Sequence, residues 1–233
     1  VPQKELLSQE FLKQRWQDFN FDLATDSKKV SGGAIPGYES METTHSSFAD
    51  KEGNAVSITT TLNNSYGSKV IVAGGGFLLN DEMDDFSIKP GHPNSYGLVG
   101  NEANAIAPNK RMLSSMTPTI VEKDGKLFMI LGTPGGSTII TSVFQVFLNV
   151  VEHDMNMQQA VDALRFHHQW LPDRTTFEEG AFTPQTLQKL LGRGYKIESQ
   201  KNTIGRMDCI LLLPNGQYEG GADVRADDTA VGY

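Results

Sequence analysis

A chain of 233 residues, 38% hydrophobic and 21% charged, is long enough to bury a core and fits one large domain or two small ones. Its net charge of −8 and pI near 5.1 argue against nucleic acid as the main partner, because phosphate binding needs clustered Lys and Arg. One cysteine, Cys209, excludes an intramolecular disulfide and any multi-cysteine metal site, and its apolar run through Leu213 reads as the place of a buried structural thiol. The longest apolar run is broken by Gln145 and Asn149 before reaching the roughly 18 residues of a membrane span, so the chain reads as soluble. Val1-Pro2-Gln3-Lys4 lacks the basic and apolar regions of a signal peptide and no Met opens the chain, which reads as a processed or excised piece.

In chain order, Ser8 to Trp16 predicts a short helix with Ser8 as N-cap. Asp26 to Gly37 has linker composition. Two runs rich in β-branched residues, Thr43 to Ala49 and Ala55 to Asn63, flank Asp50-Lys51-Glu52-Gly53-Asn54 and predict a hairpin. A three-residue loop Lys51-Glu52-Gly53 pairs Asp50 with Asn54, which sets Ala49 opposite Ala55 and Thr43 opposite Thr61. One face of the second strand is then Ser57, Thr59, Thr61, Asn63, and the other Val56, Ile58, Thr60, Leu62. An exposed Thr ladder gives the same pattern.

Asn80 to Phe86 is acidic but lacks the spacing of a calcium-binding loop. Lys89 to Asn109, rich in Pro, Gly and Asn, predicts a functional or disordered loop. Thr119 to Leu131 folds about Asp124-Gly125 as a two-residue hairpin. Its second strand runs through Gly132-Thr133-Pro134-Gly135-Gly136-Ser137 into a predicted buried helix over Thr138 to Val151. Strand, glycine loop and helix N-terminus leave free amides aimed at one spot, which suits an anion, an oxyanion of acyl transfer, or a plain tight turn. Neither a P-loop nor a dinucleotide fingerprint is present. Asn156 to Phe166 predicts another helix, and Thr183-Pro184-Gln185 starts one that Gly192 or Gly194 stops. His167 and His168 point different ways and lack a third ligand, so a packing cluster is expected there in place of zinc. Met207 to Glu219 predicts a final hairpin, followed by a polar, acidic tail.

No Cys nucleophile with a His, no Gly-x-Ser-x-Gly elbow and no metal quartet remains to carry chemistry. A Thr at the head of a strand is a weak nucleophile unless a base adjoins it, and the nearest base is its own free α-amine. That requires a cut before Thr43. Glu42-Thr43-Thr44-His45-Ser46-Ser47, Asn80 to Phe86, Tyr96-Gly97-Leu98-Val99-Gly100, Asn109 to Met116, Gly132 to Ser137 and Arg165 to Pro172 together resemble the small subunit of γ-glutamyltranspeptidases. The resemblance runs from Thr43 nearly to Tyr233, with Met112 where the family usually has Pro and Glu82 where some bacterial members have Gln.

The resemblance implies an α+β fold, the four-layer αββα sandwich of N-terminal-nucleophile hydrolases, incomplete without the large-subunit sequence. Residues 1–42 are then the tail of the large subunit with a linker to the cleavage site, and 43–233 the small, catalytic subunit. It implies autocatalytic cleavage between Glu42 and Thr43, with Thr43 as nucleophile, Thr61 as its hydrogen-bonding partner, and the Gly135 and Gly136 amides as oxyanion donors. Ser114 and Ser115 match the pair that holds the donor's α-carboxylate. Asn63, Glu82 and Asp85 match the groups for its α-ammonium, and Tyr96 matches a lid tyrosine. The implied partners are the large subunit of the same precursor, glutathione or another γ-glutamyl donor, and water, an amino acid or a dipeptide as acceptor. No cofactor and no metal is implied, and the implied location is periplasmic or extracellular. An acylase or poly-γ-glutamate depolymerase of the same superfamily, or an inactive fragment that pairs with a partner subunit, remains as an alternative.

Overall fold

The computed structural model describes residues 7–17, 19–29, 42–92, 99–200 and 202–232. Helix α1, Gln9–Trp16, starts where Ser8 accepts the Phe11 N–H at 3.2 Å, as predicted, and buries none of its residues. Strands β1, Glu42–Ala49, and β2, Ala55–Asn63, form the predicted hairpin. Asp50 N–H donates to the Asn54 carbonyl at 3.1 Å, Gly53 takes φ +87°, and Ala49 faces Ala55 while Thr43 faces Thr61.

Among the described residues a four-stranded antiparallel sheet has the order β3, β4, β8, β9, with β3 Thr119–Lys123, β4 Lys126–Leu131, β8 Asp208–Leu212 and β9 Tyr218–Ala222. Both turn residues between β3 and β4 have positive φ, Asp124 at 54° and Gly125 at 71°, which is the geometry that matches the twist of a two-residue hairpin. Helix α2, Ile139–Val151, buries Ile139, Ser142, Val143 and Val146 at helical spacing. Its β-branched residues would also suit a strand, but the stripe they form at that spacing has a core to fill. Helix α3, Met157–Asp162, joins it, and Met129, Leu131, Val143, Val146, Met157, Val161 and Leu211 share one core. Cys209 lies in this core, and burial pushes its thiol up to about 12, as expected of a structural cysteine.

A second sheet of β5, Phe166–His167, β6, Thr175–Glu178, and β7, Ile197–Gln200, was not anticipated. It packs beside helix α4, Pro184–Gly192, which begins at the predicted N-cap Thr183. One expected element is shorter. The helix expected over Asn156 to Phe166 ends at Asp162, because Ala163 turns to ψ 134° and the chain then delivers Arg165 to the interior. The polar, acidic tail turns back on the core: it carries Asp223, which is buried, and Arg225, which pairs with it.

The faces of the β1–β2 hairpin reverse the usual order. Val56 and Ile58 are 51% and 49% exposed, and Phe48 is 59% exposed. The hydroxyl face turns inward: Ser57 Oγ donates to the Leu131 carbonyl at 3.0 Å and Ser47 Oγ to that of Asp208 at 2.8 Å. An exposed Thr ladder is therefore ruled out. No helix among the described residues is long and apolar enough to cross a membrane.

Candidate active site

Thr43 is buried on β1 directly opposite Thr61, and the strand register shifts between Glu42 and Thr43. Such an irregularity breaks the ladder and re-aims a side chain, and here it falls on the peptide bond singled out in the sequence. The Thr61 hydroxyl accepts the Asn63 N–H at 2.9 Å. Asn63 ends β2 in the left-handed region, φ 76°, which an Asn tolerates better than most residues.

His45, two residues after Thr43 and on the same face, is missing from the sequence-based site. Its Nδ1 lies 2.7 Å from Thr59 Oγ1 and its Nε2 3.1 Å from Ser47 Oγ. Since Ser47 gives its proton to the Asp208 carbonyl, it accepts from His45 Nε2–H, and Nδ1 then accepts from Thr59. Burial lowers the His45 pKa to about 4, so the ring is neutral and holds this tautomer through the physiological range. The ring lies against Gly132, where a Cβ would come within 2.0 Å of it. The strand that carries Thr43 and the start of the glycine loop thus meet with no room for any other residue at 132.

The glycine loop is braced from behind. Thr133 Oγ1 donates to the Pro134 carbonyl at 2.6 Å and accepts the Arg206 N–H at 2.7 Å. Thr138 Oγ1 donates to the Gly135 carbonyl at 2.8 Å. Gly135, φ 140°, and Gly136, φ 56°, open a short 3-10 turn ahead of α2, and residues at that position keep their N–H groups outside the helical ladder. Free amides of this kind are what an oxyanion requires.

Gly205, φ 69°, packs on this loop: a Cβ there would lie 2.9 Å from Thr133 Oγ1 and 2.8 Å from Ser142 Oγ. Its segment is held by a buried charge network. Arg165 Nη1 donates to the Ile204 carbonyl at 2.6 Å, and its Nη2 donates to Val161 and, at 2.6 Å, to Asp223. Glu178 accepts from Ile204 N–H at 2.8 Å and pairs with Arg225 at 2.6 Å. Desolvation opposes charge on Asp223, but Arg165 and the Met207 N–H outweigh it and hold the carboxyl below its ordinary range.

On the other side of Thr43, a 3-10 helix, Glu82–Asp85, is stapled to the end of β2. Asn63 Nδ2 donates to the Asp81 carbonyl at 3.1 Å, Asp81 N–H to that of Leu62 at 3.1 Å, and Asn64 binds the Asp81 carboxylate through N–H and Nδ2. Burial, then the neighbouring Glu82 charge, pushes Asp85 up to about 7, and burial also raises Glu82. As carboxylates, Glu82 Oε1 and Asp85 Oδ1 are buried and receive no hydrogen bond from the described residues; a proton on Asp85 supplies one between the two side chains. Ser115 Oγ is likewise buried without a partner among the described residues, while Ser114 Oγ accepts the Met116 N–H at 3.3 Å. Buried polar atoms left unbonded are costly, and Glu82, Asp85 and Ser115 each carry one.

The structure therefore links Thr43, Thr61, Asn63, Glu82 and Asp85 around one end of the hairpin. Gly135 and Gly136 follow from Gly132, which touches the hairpin through His45. Ser114 and Ser115 are reached through Asn104, described below. Tyr96 lies outside the described residues, and so does the Glu42 side chain. His167 and His168 form the expected packing cluster: His167 is within 2.8 Å of both Thr141 Oγ1 and Gln169 Oε1, and His168 faces Asp173 at 3.6 Å. Among the described residues no group of His, Cys, Asp and Glu could hold a metal ion.

The sequence matches the family model "Gamma-glutamyltranspeptidase" over residues 1–233. It is 46% identical over 234 residues to the glutathione hydrolase proenzyme of Escherichia coli strain K12, covering 100% of this chain and 40% of that protein. The chain thus spans about two fifths of the length of that relative. In structure it is similar to a mutant γ-glutamyltranspeptidase of Helicobacter pylori, with TM-score 0.76 and 52% identity over 78% of this chain and 100% of that one. It is also similar to a cephalosporin acylase from Bacillus halodurans, with TM-score 0.81 and 26% identity over 98% of this chain and 39% of that one. With an α+β fold shared with solved γ-glutamyltranspeptidases and a family match along its whole length, this chain belongs to the γ-glutamyltranspeptidase family.

Proposed function

We propose that the protein to which this chain belongs transfers or hydrolyses γ-glutamyl groups of glutathione and related amides through a threonyl ester on Thr43. The reading begins with a cut. Thr43 Oγ attacks the Glu42 carbonyl and its proton passes to the departing nitrogen, so that the acyl group moves from nitrogen to oxygen and the Thr43 amine is freed; water then cleaves the ester, leaving a Glu42 carboxylate and the Thr43 hydroxyl. That amine takes the Thr43 Oγ proton as the oxygen attacks the γ-glutamyl carbonyl. The oxyanion rests on the Gly135 and Gly136 amides, and the leaving amine departs with the proton. Water, an amino acid or a dipeptide then takes the glutamyl group. Residues 1–42 are read as the large subunit's tail and 43–233 as the small subunit, within an assembly that acts in the periplasm or outside the cell.

Two features support the partner. The exposed apolar face of Phe48, Val56 and Ile58 is of the kind that another polypeptide covers. Ser27, buried, donates to Asp173 at 2.6 Å and accepts Trp170 Nε1–H at 2.8 Å, so the segment before the cut is also held by contacts other than the Glu42–Thr43 bond.

The observation that carries the substrate is the Glu82–Asp85 carboxyl pair beside the nucleophile. An α-ammonium supplies the positive charge and N–H donors that the pair lacks, whereas the glutaryl group of an acylase substrate supplies neither. On full-length protein, kcat/KM for γ-glutamyl-p-nitroanilide should exceed that for glutaryl-p-nitroanilide by roughly 1,000-fold. The pH dependence sharpens this. Burial and the Glu82 charge raise Asp85 to about 7, so the pair carries its full negative charge, and its full attraction for an ammonium, only above that range. KM for the γ-glutamyl substrate should rise as pH falls through about 7, while KM for the glutaryl substrate should not. Equal rates for the two substrates would point to an acylase.

A further inference from the structure

One buried side chain joins the end of the acidic 3-10 helix to the segment just before Ser114. Asn104 is 5% exposed and ends a short 3-10 turn, Glu102–Asn104, capped by Asn101, which accepts the Ala103 N–H at 2.8 Å. Both ends of its carboxamide are used: Nδ2 donates to the Asp85 carbonyl at 2.7 Å, and Oδ1 accepts the Leu113 N–H at 3.1 Å. Its backbone carbonyl accepts the Ser87 N–H at 2.9 Å, and Ser87 bridges Ala105. Lys110 Nζ donates to the Ala105 carbonyl at 2.8 Å and draws in the return of the loop.

One amide thus ties the residue that ends the acidic helix to the residue immediately before Ser114-Ser115. We propose that Asn104 is a positioning residue that fixes the spacing between the Glu82–Asp85 carboxyl pair and the Ser114–Ser115 hydroxyl pair, and so selects donors carrying ammonium and carboxylate on one carbon. This rests on the function proposed above. Ammonium and carboxylate on a single α-carbon have a separation that rotation cannot change. A site that grips both must hold its two walls at one distance, and drift of about 1 Å in such a supporting contact weakens binding sharply. A carboxamide fits because it donates at one end and accepts at the other. Asp at 104 keeps the acceptor for Leu113 but faces the Asp85 carbonyl with a second acceptor, and Ala loses both bonds.

The test uses the full-length precursor with Asn104→Asp and Asn104→Ala, γ-glutamyl-p-nitroanilide as donor, and intact mass as a readout of Glu42–Thr43 cleavage. Cleavage does not use the donor site, so both variants should be cut as fully as the wild type. Their donor KM should rise roughly 10- to 100-fold, while kcat at saturating donor stays within about threefold. Discrimination between L- and D-γ-glutamyl donors should shrink with the rise in KM. Unchanged KM in both variants overturns the proposal. So does loss of cleavage in both, which makes Asn104 a folding residue. A wild-type protein that cuts itself but releases no p-nitroaniline contradicts the proposed function and this proposal with it, whereas an active wild type with unaltered variants overturns this proposal alone.

Discussion

Thr43→Ala in the full-length protein should give a single uncut polypeptide with no measurable turnover of a γ-glutamyl amide. The loss should exceed about 10,000-fold, because both the nucleophile and the means of exposing its amine are removed at once. The size of the effect separates this position from its neighbours. Thr61 faces Thr43 across the hairpin and His45 holds the same strand, but both act through the Thr43 side chain or its setting. Purified protein, an intact mass and a p-nitroanilide assay check the expectation. Residual turnover within about 100-fold of wild type would assign the chemistry elsewhere.

Arg165→Met is expected to be the most destabilising substitution outside the nucleophile. The guanidinium is almost fully buried, and its removal leaves Asp223 short of its main counter-charge and the Ile204 carbonyl without its donor. Breaking a buried pair from one side costs about 3–5 kcal/mol. At this chain size that lowers the apparent Tm by roughly 10 °C. The exposed pair of Arg174 and Glu198, 2.7 Å apart, is the control: Arg174→Met should cost at most about 1 kcal/mol. Because the network carries Ile204 and Gly205 against Thr133, the Arg165 variant should also lose activity below its melting range, through the glycine loop. A Tm equal to that of the Arg174 variant would show that the network is not a buttress.

The parts of the fold legible in the sequence are those that local chemistry decides. Gly53 and Asp124-Gly125 dictate their turns, so the pairing of Thr43 with Thr61 follows from loop length alone. Ser8 and Thr183 mark their helices because a hydroxyl there satisfies an otherwise unpaired N–H. What stayed hidden depends on distant partners. Arg165 looks like a surface residue until Asp223, 58 positions later, is folded against it. Nothing near Asn104 in the chain signals that its amide will join Asp85 to Leu113. The hairpin's inverted faces were equally silent, since alternation tells which residues share a side but not which side meets the core.

The roles proposed for Glu82, Asp85, Ser114 and Ser115 came from the resemblance, and local sequence chemistry alone would not have suggested them. Carboxyl groups raised by burial, and a Ser115 hydroxyl buried without a partner among the described residues, are not what stability alone would select. His45 is the clearest omission, because a buried neutral histidine between Thr59 and Ser47 differs in sequence from no other histidine in a strand.

In the proposed function Thr43 is the nucleophile only once it is freed from Glu42. Full-length protein is mixed with a γ-glutamyl donor, quenched in acid and mapped by mass spectrometry. Two polypeptides are expected, the second beginning at Thr43, with a γ-glutamyl adduct on the peptide that carries that terminus. An adduct on any other residue, or turnover by protein whose Glu42–Thr43 bond is intact, would contradict it.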